Sequence, residues 1–168
     1  YREPGQTVEQ YVKSNPVRPG NRWKTIYLLP LGEFSEAQKK VLALTGEFLS
    51  LYYGMPVTIE EQISSELIPA KARRTHPSWT DAAGRPIKQF LSTYILFDIL
   101  KPRRPADALV LFGISATDLW PGRGWNFVYG QASLRERVSV QSIYRNGNPE
   151  GSKVEIAQYL RRTLKTAT

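Results

Sequence analysis

The run DALVLFGI at residues 107–114 constrains the fold more than any other feature of the sequence. It is apolar after its first residue, so a strand formed here has to be covered on both faces, as central strands of parallel sheets are. The run TIYLLPL at residues 25–31 has the same character and stops at Gly32. Two such runs separated by a long helical pattern favour a mixed α/β fold with a twisted sheet at its centre.

Two amphipathic helices are expected, one after the first strand and one at the end of the chain. Ser35 and Gln38 form a capping-box pattern ahead of an apolar stripe that stops at Gly54. Ser152 begins the second pattern, and its apolar stripe continues to Ala167 with no residue that would stop a helix. This pattern fits either a helix that is interrupted at the end of the chain or a C-terminal helix that frays there.

The remaining segments are less regular. Residues 1–22 are rich in proline and glycine and predict an irregular arm, so the domain is expected to comprise residues 23–168. Residues 63–84 show no clear period and predict a long irregular excursion. The other expected elements are strands at residues 56–59, 87–91, 126–129 and 137–144, and a short helix capped by Ser92 that ends at Leu100.

Composition excludes several classes of protein. The chain has 23 Lys and Arg against 15 Asp and Glu, a formal net charge of +8, but the basic residues occur in short groups along its whole length. A basic nucleic-acid-binding domain is therefore kept only as an alternative, because the repeated aromatic platforms of single-strand binders are missing. No window approaches the ~20 apolar residues of a membrane span. We therefore expect a soluble protein without a membrane partner. The chain has no cysteine, which is compatible with a reducing compartment, and we expect a cytoplasmic location.

Residue types alone assign no active site. His76 is the one histidine of the sequence, stands before a proline, and is expected in a loop. It has no ligand partner at metal-binding spacing and no nucleophile elbow to serve. The turn PGRG at residues 121–124 lacks the helix and lysine of a phosphate loop, and Glu60 and Glu61 are expected at the surface.

Three motifs near the end of the chain carry a family resemblance: DLWP at residues 118–121, WNFVYGQASL at residues 125–134, and RV at residues 137–138. Together they resemble the archaemetzincins, zinc metallopeptidases of the metzincin clan. The resemblance extends over residues 23–168 and includes LKPRRPADA at residues 100–108. It implies a mostly parallel sheet of about five strands with an antiparallel edge strand, a backing helix and the start of the active-site helix.

The resemblance also implies where the chemistry lies. In this family a segment similar to residues 164–168 leads into His-Glu-x-x-His-x-x-Gly-x-x-His, in which the histidines bind zinc and the glutamate acts as general base. We therefore expect this chain to be the N-terminal part of the catalytic domain of a zinc-dependent peptidase. No catalytic or metal-binding residue can be assigned within it, so zinc is expected for the complete protein and the chain alone is expected to be inactive.

Substrate binding is the role that the resemblance does assign to this chain. Metzincins bind an extended peptide along an antiparallel edge strand through backbone hydrogen bonds. We expect the side chains of Trp125, Phe127 and Tyr129 to be mostly packed, so that only the backbone meets the peptide. The residues assigned to this edge are Asn126, Phe127, Val128, Tyr129, Gly130, Gln131, Ala132, Ser133 and Leu134.

The expected partners are a peptide or protein substrate and the C-terminal subdomain that the resemblance implies. Without that subdomain an apolar face would be exposed, so we expect the isolated chain to self-associate or to be marginally stable. A non-catalytic module that binds peptides on the same edge strand remains the main alternative. A stop codon after residue 168 of the natural gene would favour that module, and a His-Glu pair there would favour the peptidase.

Overall fold

The structure is a computed structural model that describes residues 5–81 and 83–168. The strands are β1 (Thr25–Leu31), β2 (Val57–Ile59), β3 (Arg73–Thr80), β4 (Pro86–Leu91), β5 (Ala108–Ser115), β6 (Asp118–Trp120), β7 (Gly130–Ser133) and β8 (Val138–Ser142). The helices are α1 (Val8–Lys13), α2 (Glu36–Tyr53), α3 (Ser92–Tyr94), α4 (Lys101–Arg103) and α5 (Lys153–Ala167). None of the helices described is long and apolar enough to cross a membrane.

The main sheet has five strands in the order β2-β1-β5-β8-β7. Four of them are parallel, and β7 alone runs antiparallel to its neighbour β8. This architecture confirms the mixed α/β fold and the antiparallel edge strand expected above. It also places β5 at the centre of the sheet, as its continuous apolar sequence requires.

An apolar core lies on each face of this sheet. On one face, Phe112 packs with Tyr159 of α5 and the buried side of α2. On the other, Leu111 packs with the buried residues of the π-helical segment Ile95–Leu100. Neighbouring residues of β5 therefore face opposite cores, which is why the strand is apolar at successive positions rather than at alternate ones.

The two long helices begin as the sequence predicts. Ser35 and Gln38 form a complete capping box at the start of α2, and the helix ends at Gly54, whose φ of 61° is left-handed. Ser152 and Glu155 form a second capping box at the start of α5. Each box satisfies amides that the first turn of a helix leaves without partners.

A second, three-stranded sheet was not expected. Its order is β3-β4-β6, with β3 antiparallel and β6 parallel to β4. It corrects the interpretation of residues 63–84 as an irregular excursion. Strand β3 has exposed residues at most positions and therefore lacks the apolar alternation that sequence reading needs. His76, expected in a loop, lies in this strand and is 5% exposed.

Other boundaries also differ from expectation. The arm at residues 1–22 contains the short helix α1, with Thr7 as its cap, whereas residues 1–4 lie outside the described part of the chain. The expected helix at residues 92–100 continues to Arg103 through a π-helical segment, and Ser92 is its first residue rather than its cap. The hydroxyl of Ser92 lies 2.7 Å from Oε1 of Gln131 and 3.2 Å from the carbonyl of Trp120, so tertiary contacts replace the capping role.

Candidate functional site

Strand β7 forms one edge of the main sheet. It pairs with β8 in the register Gly130↔Gln141 through Ser133↔Val138, and no other named strand of the described chain pairs with it. The strand expected at residues 126–129 is therefore displaced to Gly130–Ser133. Of the residues assigned to the edge, Gly130, Gln131, Ala132 and Ser133 are in the strand, and Asn126, Phe127, Val128 and Tyr129 precede it. Leu134 follows it and is 88% exposed.

The backbone of β7 directs two residues away from the sheet. Ser142 donates its amide to the carbonyl of Tyr129 at 2.8 Å. Because hydrogen-bonded and non-hydrogen-bonded pairs alternate in an antiparallel ladder, Gln131 and Ser133 also bond to β8. The amides and carbonyls of Gly130 and Ala132 therefore point to the free edge. This edge is able to accept another extended strand.

The second sheet limits how far this free edge extends. The amide of Val128 donates to the carbonyl of Leu119 in β6 at 2.9 Å. Val128 has the same outward orientation as Gly130, so β6 occupies the edge immediately before the open part begins. The open segment is consequently Gly130–Ser133 alone.

Gly130 is required for the close approach of β7 to β8. A Cβ atom built on Gly130 would lie 2.8 Å from the carbonyl oxygen of Val140 and 3.4 Å from Cα of Gln141. The contact with a backbone oxygen cannot be relieved by a side-chain rotation. Any larger residue here has to move the edge strand away from its partner.

An open cavity of about 630 Å³ lies beside β7 and next to the last residues of α5. Tyr53, at the end of α2, also lines it and donates its hydroxyl to the carbonyl of Thr168 at 3.2 Å. The structure thus brings the edge strand and the end of the last helix to one depression. Its lining from these two elements consists of Gly130, Gln131, Ala132, Thr166, Ala167 and Thr168.

The loop before β7 presents aromatic side chains to solvent. Trp125 is 63% exposed and Tyr129 is 52% exposed, which corrects the expectation that these side chains are packed. Phe127 is half-buried and contacts Trp79 and Tyr129 at ring-centroid distances of 5.8 and 5.4 Å. The side chains of the loop are therefore available to a ligand on the adjoining edge.

A buried carboxylate at Asp118 supports this loop from beneath. Arg145 donates Nε to Oδ1 and Nη2 to Oδ2 of Asp118, both at 2.8 Å, and the Asp118 side chain is fully buried. Gln89 donates Nε2 to the same carboxylate at 2.7 Å and to the carbonyl of Asn126 at 2.9 Å. The hydrogen bond to Asp118 raises the pKa of Arg145 above its usual value.

A second arginine holds the loop directly. Arg74 donates Nη2 to the carbonyls of Trp125 and Asn126 at 3.0 and 2.8 Å, and its guanidinium lies 4.8 Å from the ring centre of Trp120. Burial lowers the pKa of Arg74. The guanidinium of Arg145 lies 3.9 Å from the ring centre of Phe127. The hydrogen bonds of Arg74 and Gln89 occupy the carbonyl of Asn126, which a strand beginning at residue 126 would need for its own ladder.

Sequence reading missed this network. Its one visible signal was Asp118, an acid placed within an otherwise apolar motif whose strand is buried throughout. A carboxylate in that position has to be paired, but nothing local in the sequence identifies Arg145 and Gln89 as the partners.

The residues of this chain do not fit a zinc ion. Within residues 5–81 and 83–168, no group of three or more His, Cys, Asp or Glu side chains is placed to hold a metal. The ring of His76 stacks on Trp79 at 4.2 Å, and its Nδ1 accepts the backbone amides of Ser78 and Trp79 at 3.2 and 3.0 Å. A zinc ligand set cannot be completed around this histidine.

The sequence is similar to proteins named archaemetzincin. It is 29% identical over 155 residues to human archaemetzincin-2 and 30% identical over 152 residues to that of Macaca fascicularis, in each case over 87% of this chain. The chain spans 40% of the length of these two relatives. Archaemetzincin of Thermococcus kodakarensis is 29% identical over 149 residues, covering 84% of this chain and 72% of the relative. No family model matches the sequence.

Solved structures show the same fold. A crystal structure of archaemetzincin from Archaeoglobus fulgidus, complexed with malonate, is 25% identical and superposes with a TM-score of 0.56 over 85% of this chain and 72% of that one. The archaemetzincin of Methanopyrus kandleri is 23% identical and superposes with a TM-score of 0.60 over 89% of this chain and 71% of that one.

Proposed function

We propose that the chain is a member of the archaemetzincin family and forms the N-terminal, substrate-binding part of the catalytic domain of a zinc-dependent peptidase. In this proposal its role is to bind and orient an extended peptide along β7. Zinc, bound by the complete enzyme, supplies the activation of water. One histidine and no cysteine cannot make a site of three histidines, so the zinc ligands must come from sequence outside these 168 residues. The 168-residue chain alone is then inactive.

The observation that carries the proposal is the position of β7 beside the end of α5. Gly130 and Ala132 direct backbone donors and acceptors to the free edge, and the same cavity is lined by Thr166 and Thr168. A peptide added as a further antiparallel strand would lie along this cavity. Its scissile bond would then be held next to the helix that carries the metal ligands in the family.

The sharpest test removes one outward amide. Ala132→Pro deletes the donor at the free edge but leaves the hydrogen bonds of Gln131 and Ser133 to β8, as proline is tolerated where an edge amide faces solvent. In the complete protein we expect kcat/KM for an extended peptide to fall about tenfold, as for one lost charge-neutral hydrogen bond in a bound substrate. Ala132→Ser, which keeps the amide, is the matched control and should be near wild type.

Zinc content and thermal stability have to be measured beside activity. Zinc bound stoichiometrically by the complete protein, and retained in Ala132→Pro, is the expected result. If the complete protein bound no zinc and cleaved no peptide, the proposal that it is a zinc-dependent peptidase would be overturned. Equal kcat/KM for the proline and serine variants would overturn the assignment of β7 as the substrate edge.

A second candidate function is a peptide-binding module without catalysis, which the same free backbone groups of Gly130 and Ala132 favour. It predicts peptide binding that Ala132→Pro weakens, but no zinc and no hydrolysis in the product of the natural gene. A cytoplasmic location and self-association of the isolated chain remain predictions of the sequence.

A further inference from the structure

Arginine side chains cluster around Trp23, where β1 begins. The guanidinium carbons of Arg22 and Arg137 lie 5.0 and 4.5 Å from the centre of the Trp23 ring. A third arginine, Arg104, is near in the chain to a residue that pairs with this segment, because the amides of Lys24 and Thr25 both donate to the carbonyl of Asp107, at 2.9 and 3.4 Å. This joins the Trp23 segment to residues 104–107.

The charges of this cluster act on one another. The pKa of Arg137 is lowered, first by burial and then by the positive charges of Arg104 and Arg22. Nearby acids have other partners: Asp107 accepts from the hydroxyls of Thr25 and Tyr27, and Glu136 pairs with Lys101 at 3.2 Å. Among the described residues, none of the arginines of the cluster takes part in a salt bridge.

Two donors in the cluster are shielded from solvent without an acceptor. Within residues 5–81 and 83–168, neither Nε1 of Trp23 nor Nε of Arg104 has a hydrogen-bond partner. Buried donors in folded proteins are almost always satisfied, so these two are unusual, but protein atoms cover both and an acceptor from solvent reaches them only if the cluster rearranges. Both belong to residues that carry or adjoin positive charge, so the acceptor that suits them is an anion.

Arg137 is held in a costly backbone conformation. Its φ is 52°, in the left-handed region that residues other than glycine rarely adopt, and Nη1 of its side chain donates to the carbonyl of Ala108. Residue 137 closes the turn between β7 and β8, where its amide donates to the carbonyl of Leu134 at 3.2 Å, and this hairpin accounts for the conformation. The guanidinium carbon of Arg137 lies 4.5 Å from the ring centre of Trp23.

We propose that Arg22, Trp23, Arg104 and Arg137 form a binding site for a small, multiply charged oxyanion of the phosphate class. Guanidinium groups bind tetrahedral oxyanions through paired hydrogen bonds, and among the described residues Arg22 and Arg137, which lie over the Trp23 ring, have no acid partner. The site requires neither zinc nor a peptide, and it extends the protein's function beyond the proposed hydrolysis. It also gives a role to the KPRRP motif at residues 101–105, which the peptide edge does not use.

A phosphate could reach this site free in solution or as part of a nucleic acid. The cluster is compact and built around a single indole, whereas strand-binding proteins repeat aromatic platforms along a basic groove. A free anion such as inorganic phosphate or pyrophosphate is therefore the ligand that fits.

The test is calorimetric titration of the chain with sodium pyrophosphate, against sodium chloride at equal ionic strength. We expect saturable binding, and we expect the indole N–H resonance of Trp23, assigned by its loss in Trp23→Phe, to shift on titration. Arg104→Gln and Arg22→Gln should each weaken binding about tenfold, the effect of one charge-assisted hydrogen bond. Arg161→Gln, an exposed arginine of α5, is the matched control and should bind like wild type.

Arg22 is exposed, so Arg22→Gln tests the site even if Arg104→Gln unfolds the chain. A site built from several arginines should have a Kd far below about 10 mM. Absence of saturable binding at that pyrophosphate concentration would overturn the proposal. The proposal would also be overturned if Arg161→Gln weakened pyrophosphate binding as much as Arg22→Gln does, because that result indicates general charge attraction. Binding of a short oligonucleotide that pyrophosphate does not displace would also overturn it, in favour of a nucleic-acid surface.

Discussion

The hydroxyl of Tyr159 in α5 accepts a hydrogen bond from Nε2 of Gln38 in α2 at 3.3 Å. The other side-chain atom of Gln38, Oε1, accepts the amide of Ser35 at 2.9 Å and completes the capping box of α2. One residue therefore caps the backing helix and holds the last helix against it. Because α5 borders the cavity beside β7, this contact helps to set the shape of the candidate site.

Tyr159 makes stability sensitive to alkaline pH. It is 1% exposed, and burial raises its pKa from 10.0 to about 12. Above pH 10 the unfolded chain loses this proton while the folded chain keeps it, so stability is full below pH 10 and falls as pH rises towards 12. The loss should be about 2 to 3 kcal/mol in total.

Urea unfolding at several pH values measures this loss. Tyr159→Phe should be less stable at neutral pH but should have a shallower decline between pH 10 and 12. Burial also raises the pKa of Tyr144, and the Asp107 hydrogen bond raises that of Tyr27. Because both tyrosines are present in the variant, some loss of stability at alkaline pH is expected in both proteins. Identical slopes would contradict the assignment to Tyr159.

Asp118→Asn should strongly destabilise the protein. The Asp118 side chain is fully buried and 20% of the Arg145 side chain is exposed, so loss of the negative charge leaves a largely buried guanidinium unpaired. We expect the free energy of unfolding to fall by about 3 kcal/mol. Glu150→Gln, an exposed acid, is the control for general charge effects and should change little. A variant as stable as wild type would show that the pair is dispensable.

Gly130→Ala should displace the edge strand. The new methyl group would lie 2.8 Å from the carbonyl oxygen of Val140, so β7 has to shift, at a cost of about 1 to 3 kcal/mol. Faster hydrogen exchange at Gln131 and Ser133, measured by NMR, would report the weakened ladder. Ala132→Ser, at an exposed position of the same strand, should leave exchange unchanged.

Asn146→Ala should loosen α5. Nδ2 of Asn146 donates to the hydroxyl of Thr163 at 2.9 Å, and this bond is lost in the variant. The backbone carbonyl of residue 146, which accepts from Nη1 of Arg162 at 2.9 Å, is retained. Asn146 is 3% exposed, so its removal leaves a cavity and costs about 1 to 3 kcal/mol. We expect faster amide exchange within α5. Asn148→Ala, an exposed neighbour, provides the comparison, and equal exchange in both variants would show that Asn146 does not anchor the helix.

Local sequence predicted the central strands and both capped helices. The apolar runs of β1 and β5 predict burial on two faces. The capping boxes that begin at Ser35 and Ser152 predict where the two long helices start. These features depend on residues close together in the chain. They could therefore be predicted without knowledge of the fold.

The edge strand illustrates where local patterns mislead. The aromatic residues Trp125, Phe127 and Tyr129 alternate like a strand, whereas the true strand β7 consists of Gly, Gln, Ala and Ser. Those small and polar residues have weak strand propensity, and they form a strand because β8 lies beside them. The backbone at residues 125 and 126 cannot join that strand, since Arg74 and Gln89 bind its carbonyls.

The sequence by itself determined the mixed α/β class, the central position of β5, the helix starts and the similarity to archaemetzincins. Tertiary structure alone decided which segment became the free edge, which residues pair with Asp118, and how Arg137 comes to lie over Trp23. The reason is physical: periodicity and capping act between near neighbours, whereas buried charges and strand edges acquire their partners only when the topology brings distant segments into contact.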